Sequence, residues 1–113
     1  LAAHMITQVD FFKCLSDQTR LNILKLVLSK QNICVCELTE QLELSQPKIS
    51  RHLALLRTHG MLLDSRQGQW VYYSVNPELP IWAINILNIL AQQDDDAMKP
   101  LSGRLGSIST FCE

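Results

Sequence analysis

The apolar positions divide the chain into helical stretches up to Gly60 and β-branched or aromatic runs just after it. In Ser45 to Arg57, SQPKISRHLALLR, residues Ile49, Leu53 and Leu56 recur at i, i+4, i+7, the core-facing stripe of a helix. Gln46, Pro47, Ser50, Arg51, Ala54 and Arg57 fall roughly opposite. That face is polar and basic, with only small Ala54 among its longer side chains, and it suits the major groove of DNA. Leu55 fits neither face and predicts a contact with a neighbouring element. Ser45 is placed to cap the first turn, and Pro47 stands where a missing N–H costs little.

Upstream, ELTEQLELS places Leu38 and Leu42 at i, i+4 before a tight turn at Glu43 and Leu44. Two short helices so joined make a helix-turn-helix, although periodicity alone describes an ordinary helical hairpin equally well. Downstream, MLLDSR and WVYYSV flank QGQ and predict a β-hairpin with Arg66, Gln67 and Gln69 near its tip. A hairpin directly after a helix-turn-helix is a wing. Its tip would reach phosphates or the adjacent minor groove through Arg66. Trp70, Tyr72 and Tyr73 read as packing of that wing.

The remaining pattern supplies the frame. Ile6 to Leu15, with Val9, Phe11, Phe12 and Leu15, predicts a docked helix, and Ser16 or Asp17 caps a longer one, TRLNILKLVLSK. In the latter Leu21, Leu24 and Leu28 line one face, flanked by Ile23 and Val27. Gln31 to Val35 reads as an extended connection. Asn76-Pro77 opens a last helix through Ala91 or Gln93, apolar except for the stripe Asn85, Asn88, Gln92. So narrow a polar strip needs cover on more than one side, so part of this helix is expected to form a dimer interface, shared with Phe11, Phe12 and Leu15. The expected architecture is mainly α with a β-hairpin wing, a winged helix-turn-helix dimerising through its terminal helices. Residues 1–5 read as a cloning remnant and start, 6–93 as the DNA-binding and dimerisation domain, and 94–113 as a weakly ordered tail.

Composition sharpens this picture locally. The 113 residues allow one domain, and a net charge of −1 carries no nucleic-acid signal by itself. Between Ser45 and Tyr73, however, Lys48, Arg51, Arg57 and Arg66 stand against Asp64 alone, a basic footprint of the kind a small DNA-binding module needs. No signal peptide or membrane-length apolar run is visible, which predicts a cytoplasmic protein without a membrane partner. Four cysteines, Cys14, Cys34, Cys36 and Cys112, then predict free thiols and ligand or redox chemistry. Cys34-Val-Cys36 is the reactive constellation: at a helix start the dipole lowers a thiol pKa, and the thiolate is both nucleophile and soft ligand. Residues at i, i+2 in a regular helix point to different sides. To clasp one atom the pair must sit where the helix has not begun, or unwind its first turn. His52 and His59 lack companions at ligand spacing, so no zinc is expected. The absence of CxxC, of a thioredoxin-like order of elements and of a nucleotide-binding glycine motif argues against a thiol-redox enzyme, and the expectation is a protein that is not an enzyme.

The segments LSDQTRLNILKLVL, ICVCELTEQLELSQPKISRHLALLRTHG and LLDSRQGQWVYYSV together closely resemble the ArsR-type winged helix-turn-helix repressors, especially the arsenic-responsive branch. The resemblance covers about Phe11 to Ala91. It implies a homodimeric repressor that binds operator DNA, an imperfect inverted repeat, and leaves when trivalent arsenic or antimony binds cysteine thiolates. By position Gln46, Ser50, Arg51 and His52 match the family's recognition-helix contacts, with Ser45, Lys48, Arg57 and Arg66 as further DNA-facing candidates. Cys34 and Cys36 match its first two metalloid ligands. The family's pattern CVCxxC puts its third cysteine where this chain has Thr39, which leaves Cys14 or Cys112 as candidate third ligands for arsenite, while an organoarsenical needs only two. The last helix has no histidine for the zinc or cobalt site some relatives carry there. A repressor of the same fold that senses oxidants or sulfur species through linked cysteines is the competing expectation.

Overall fold

The structure, a computed structural model, describes residues 5–97. Five helices and three strands run in the order α1 (Gln8–Leu15), α2 (Gln18–Lys30), β1 (Ile33–Cys34), α3 (Val35–Leu42), α4 (Gln46–Thr58), β2 (Leu62–Gln67), β3 (Trp70–Val75) and α5 (Ile81–Ala97). Short polar side chains start the helices. The Thr7 hydroxyl and the Asp17 carboxylate accept the Asp10 and Arg20 N–H groups, each at 3.1 Å, and the Ser45 hydroxyl accepts from Lys48 at 3.4 Å. The turn between α3 and α4 closes through Glu43, whose φ of 56° lies in the left-handed region. In α4 the predicted stripe of Ile49, Leu53 and Leu56 is fully inside, whereas Leu55, expected to meet a neighbouring element, stays exposed.

The wing is part of a larger sheet than the sequence pattern predicts. β2 and β3 pair antiparallel from Leu62↔Val75 to Gln67↔Trp70, and the two-residue loop between them opens with Gly68 at a φ of 68°. β1 adds a third strand, in the order β1-β3-β2, through Ile33↔Tyr73 and Cys34↔Tyr72. A strand of two residues has no periodicity to read, which is why the segment looked only extended. Continued by two residues, this register would set Val35 opposite Val71 and Cys36 opposite Trp70. The chain turns into α3 instead, and the end of β3 is left facing the start of a helix.

The core lies between α2, the inner faces of α3 and α4, and the sheet, with Phe11, Ile23, Leu24, Val27, Ile33, Leu38, Met61 and Leu62 among its fully buried side chains. In α2 the buried stripe is rotated from expectation: Ile23, Leu24, Leu26 and Val27 are inside, and Leu21 and Leu28 are half-buried. The last helix starts later than Pro77. Asn76 holds a turn by donating from its side-chain amide to the Gly60 carbonyl (2.9 Å) and accepting the Glu78 N–H (2.9 Å), so helix begins at Ile81. It continues to Ala97, beyond Gln93, and residues 98–113, Cys112 included, lie outside the described residues. α5 packs on α2 and buries Ala83 and Leu87 in the core, while Trp82 meets Phe11 edge-on with ring centroids 5.1 Å apart. Its outer face keeps Ile81 70% and Ile89 56% exposed, and α1 adds Phe12 at 52%. Phe11 and Phe12 therefore part company, one to the core and one to the surface.

Candidate nucleic-acid interface and thiol pair

Burial of Ile49, Leu53 and Leu56 fixes the rotation of α4, and with it the outward direction of Gln46, Lys48, Ser50 and Arg51, all exposed. Ser45, also exposed, spends its hydroxyl on the cap. Arg66, next to the end of β2, extends the basic surface onto the wing. The other two candidates are already engaged within the chain. Arg57 closes an ion pair with Asp64 of β2 at 3.1 Å, tying the end of α4 to the wing. His52 is half-buried, with Nδ1 3.3 Å from the Arg20 guanidinium and 4.0 Å from the Asp17 carboxylate.

Arg20 is the residue that sequence reasoning missed. Its Nε donates to the Cys14 carbonyl and its Nη2 to the Lys13 carbonyl, both at 3.1 Å, so one side chain joins the end of α1, the start of α2 and His52 on α4. No local pattern announces a contact between positions 20 and 52. Burial raises the Asp17 carboxyl, but the Arg20 N–H bond and the electrostatic influence of the neighbouring His52 and Arg20 outweigh it and hold the group below the ordinary aspartate value.

The cysteines meet at the junction of β1 and α3. Cys34 is the last residue of β1, buried and extended at the helix cap position, and Cys36 is the second residue of α3 and exposed. Because one of the two is still in extended backbone, the side chains converge without any unwinding of α3, the first of the two arrangements that i, i+2 spacing allows. The expectation of free thiols here is corrected: Cys34 and Cys36 are joined as a disulfide across a Cα–Cα separation of 5.4 Å. Thr39, at the position of the family's third cysteine, donates its hydroxyl to the Cys36 carbonyl at 2.8 Å. Cys14 is buried, and burial pushes its thiol up, with Arg20 opposing and Asp10 adding to the shift. Among the described residues no three of His, Cys, Asp and Glu gather where they could hold a metal ion. Among the described residues the donors gathered here are two soft sulfurs, a set that suits a centre bringing its own remaining ligand.

A cleft of about 290 Å³ opens beside this pair. Cys34, Cys36 and Thr39 form one wall, Gln69, Trp70 and Val71 of the wing another, and Gln46 at the start of α4 the third. Trp70, expected to pack within the wing, is instead 48% exposed at this cleft. Trp70 opens β3 beside the hairpin turn, two residues beyond the last pairing with β1, so only β2 flanks it within the sheet.

A family profile described as "Bacterial regulatory protein, arsR family" matches residues 17–62, from the cap of α2 to the first residue of β2. The chain is 51% identical to the arsenic resistance transcriptional regulator ArsR2 of Pseudomonas putida KT2440 over 96% of its own length and 100% of that protein. It is also 51% identical to the arsenical resistance operon repressor of Escherichia coli K12, over 71% of this chain and 68% of that one. Among solved structures, HlyU from Vibrio cholerae superposes with a TM-score of 0.67 at 30% identity, covering 75% of this chain and 88% of that chain.

Proposed function

The chain belongs to the ArsR family of winged helix-turn-helix transcriptional regulators, and from that premise we propose that it is a homodimeric repressor released from operator DNA when trivalent arsenic or antimony binds Cys34 and Cys36. Its place of action is the cytoplasm, where operator DNA is. Gln46, Ser50 and Arg51 read base edges from α4, and Lys48 and Arg66 hold phosphates. A second protomer docks on the exposed apolar residues of α1 and α5.

One observation carries the reading: the thiol pair and Gln46, the first residue of the recognition helix, border the same cleft. A change at the sulfurs is thus a change beside the DNA-reading surface. The sulfurs must be reduced to act as ligands, and two thiolates satisfy an organoarsenical, one of whose positions is already carbon. Inorganic arsenite needs a third donor, which Cys14 or Cys112 of either subunit, solvent or a small thiol would supply.

The test is release of labelled operator DNA in reducing buffer, followed by anisotropy. Wild type should dissociate on addition of arsenite or methylarsenite, and Cys34→Ser and Cys36→Ser should bind operator normally without responding. Full release from the Cys34→Ser/Cys36→Ser double mutant by arsenite would overturn the assignment.

The Cys34–Cys36 bond favours a second reading, a repressor of this fold that senses oxidants by closing that bond. Intact-protein mass separates the two. The metalloid reading expects an added arsenic atom on the released protein, and the redox reading expects the loss of two hydrogens.

A further inference from the structure

The wall of the cleft that faces the thiol pair is built by the wing. β3 runs two residues past its last pairing with β1, and there the Trp70 indole stands 48% exposed beside Gln69. Its counterpart Trp82 packs against Phe11, so open exposure is particular to the cleft residue. Large aromatic side chains contribute most when their faces are covered. Trp70 is left uncovered only a short reach from two sulfurs, in a space of about 290 Å³, where roughly 150 Å³ suffices to hold benzene in an apolar cavity.

We propose that this cleft is the subsite for the organic substituent of a trivalent organoarsenical held by Cys34 and Cys36, with Trp70 the residue that favours an aryl group over methyl. The proposal rests on the reading of the pair as arsenical ligands and adds where the remaining substituent goes. The geometry assigns it by elimination within the cleft. One wall is the sulfurs themselves, Thr39 is small and has its hydroxyl committed to the Cys36 carbonyl, Gln46 and Gln69 are flexible amides, and Val35 and Val71 offer only short aliphatic side chains, leaving the indole as the one aromatic face. The chemistry balances without a change in the oxidation state of arsenic. Two equivalents of a small-molecule thiol first reduce the Cys34–Cys36 disulfide and become a disulfide themselves. Each cysteine thiol then replaces one hydroxyl of the dihydroxy arsenical: two As–O bonds break, two S–As bonds form, and two water molecules leave with the thiol protons.

A substituent in this position also presses on Gln46. Affinity for the inducer and fit to DNA then meet at one side chain, so an aryl arsenical should disfavour operator binding more strongly than a methyl one.

The experiment is equilibrium dialysis of the reduced full chain, without DNA, against phenylarsenite and methylarsenite, with bound arsenic counted by elemental mass spectrometry. Trp70→Ala should weaken phenylarsenite by about 3- to 10-fold, the range expected for loss of one aromatic pair, and leave methylarsenite within about twofold. Trp70→Phe should retain most of the phenyl preference. Because Trp70 is half in solvent, both variants should keep the wild-type circular dichroism and melting transition. Equal loss for both arsenicals, or no loss for either, overturns the Trp70 subsite while leaving the thiol pair as sensor. Failure of wild type to bind either arsenical overturns the sensor reading itself.

Discussion

Arg51 and Arg66 bring the same charge to different parts of the proposed complex. Arg51 lies on the exposed face of α4, so Arg51→Ala should cost roughly 1–3 kcal/mol at the cognate operator and relax base preference at one position. Arg66, on the wing, should when replaced by alanine weaken all sequences alike and flatten the dependence of affinity on salt. Binding titrations on cognate and scrambled duplexes at several salt concentrations read both; two unchanged mutants would remove the assigned DNA face. Thr39 offers a gain of function: Thr39→Cys restores the family's third thiol and should strengthen the arsenite response, measured as the arsenite needed for half-release of operator. Asp17 tests the frame behind α4. Its carboxyl is held below the ordinary value in the folded chain, so it stabilises the fold above that ordinary value, and the contribution is lost as pH falls through the lowered one. Asp17→Ala should cost about 1 kcal/mol at neutral pH through the lost cap. Its melting temperature should also fall less steeply than that of wild type on acidification, and identical acid limbs in thermal melts would contradict the role.

At the level of elements, α4 was readable because its two faces differ in kind, and its cap, stripe and end all agree with the structure. Both strands of the wing were readable from β-branched and aromatic runs on either side of a glycine turn. β1 was not, since two residues carry no period, and the cleft was not, since it exists only because β1 stops where β3 continues. The sequence named both cysteines but not their neighbours, Trp70 and Gln46, which are brought in by pairing across more than thirty residues and by a turn. The burial pattern of helix α5 decides which residue can test a dimer. Leu87, an obvious choice for breaking a dimer, is 1% exposed within its own chain, whereas Ile89 is 56% exposed. Leu87→Asp should therefore unfold the protomer by burying an unpaired charge, and Ile89→Asp should give folded monomers that lose operator affinity. Light scattering with circular dichroism separates these outcomes; an Ile89→Asp protein that stays dimeric would place the interface elsewhere.

For the molecule as a whole, the proposed homodimer would place two recognition helices in successive major grooves, about 34–36 Å apart, so footprinting should find an imperfect inverted repeat with protected half-sites one turn apart. Arsenical and operator should be antagonists of equal strength: whatever factor the arsenical takes from DNA affinity, saturating operator should take from arsenical affinity, measured by dialysis with and without duplex. Unequal factors would mean that more states are in play than a bound and a released form. Gln46 both borders the cleft proposed for the inducer and stands first on the helix proposed to meet DNA. A lineage that reshapes this pocket for a bulkier toxin edits its own promoter address in the same step, so inducer range and operator sequence should drift together among descendants of this chain.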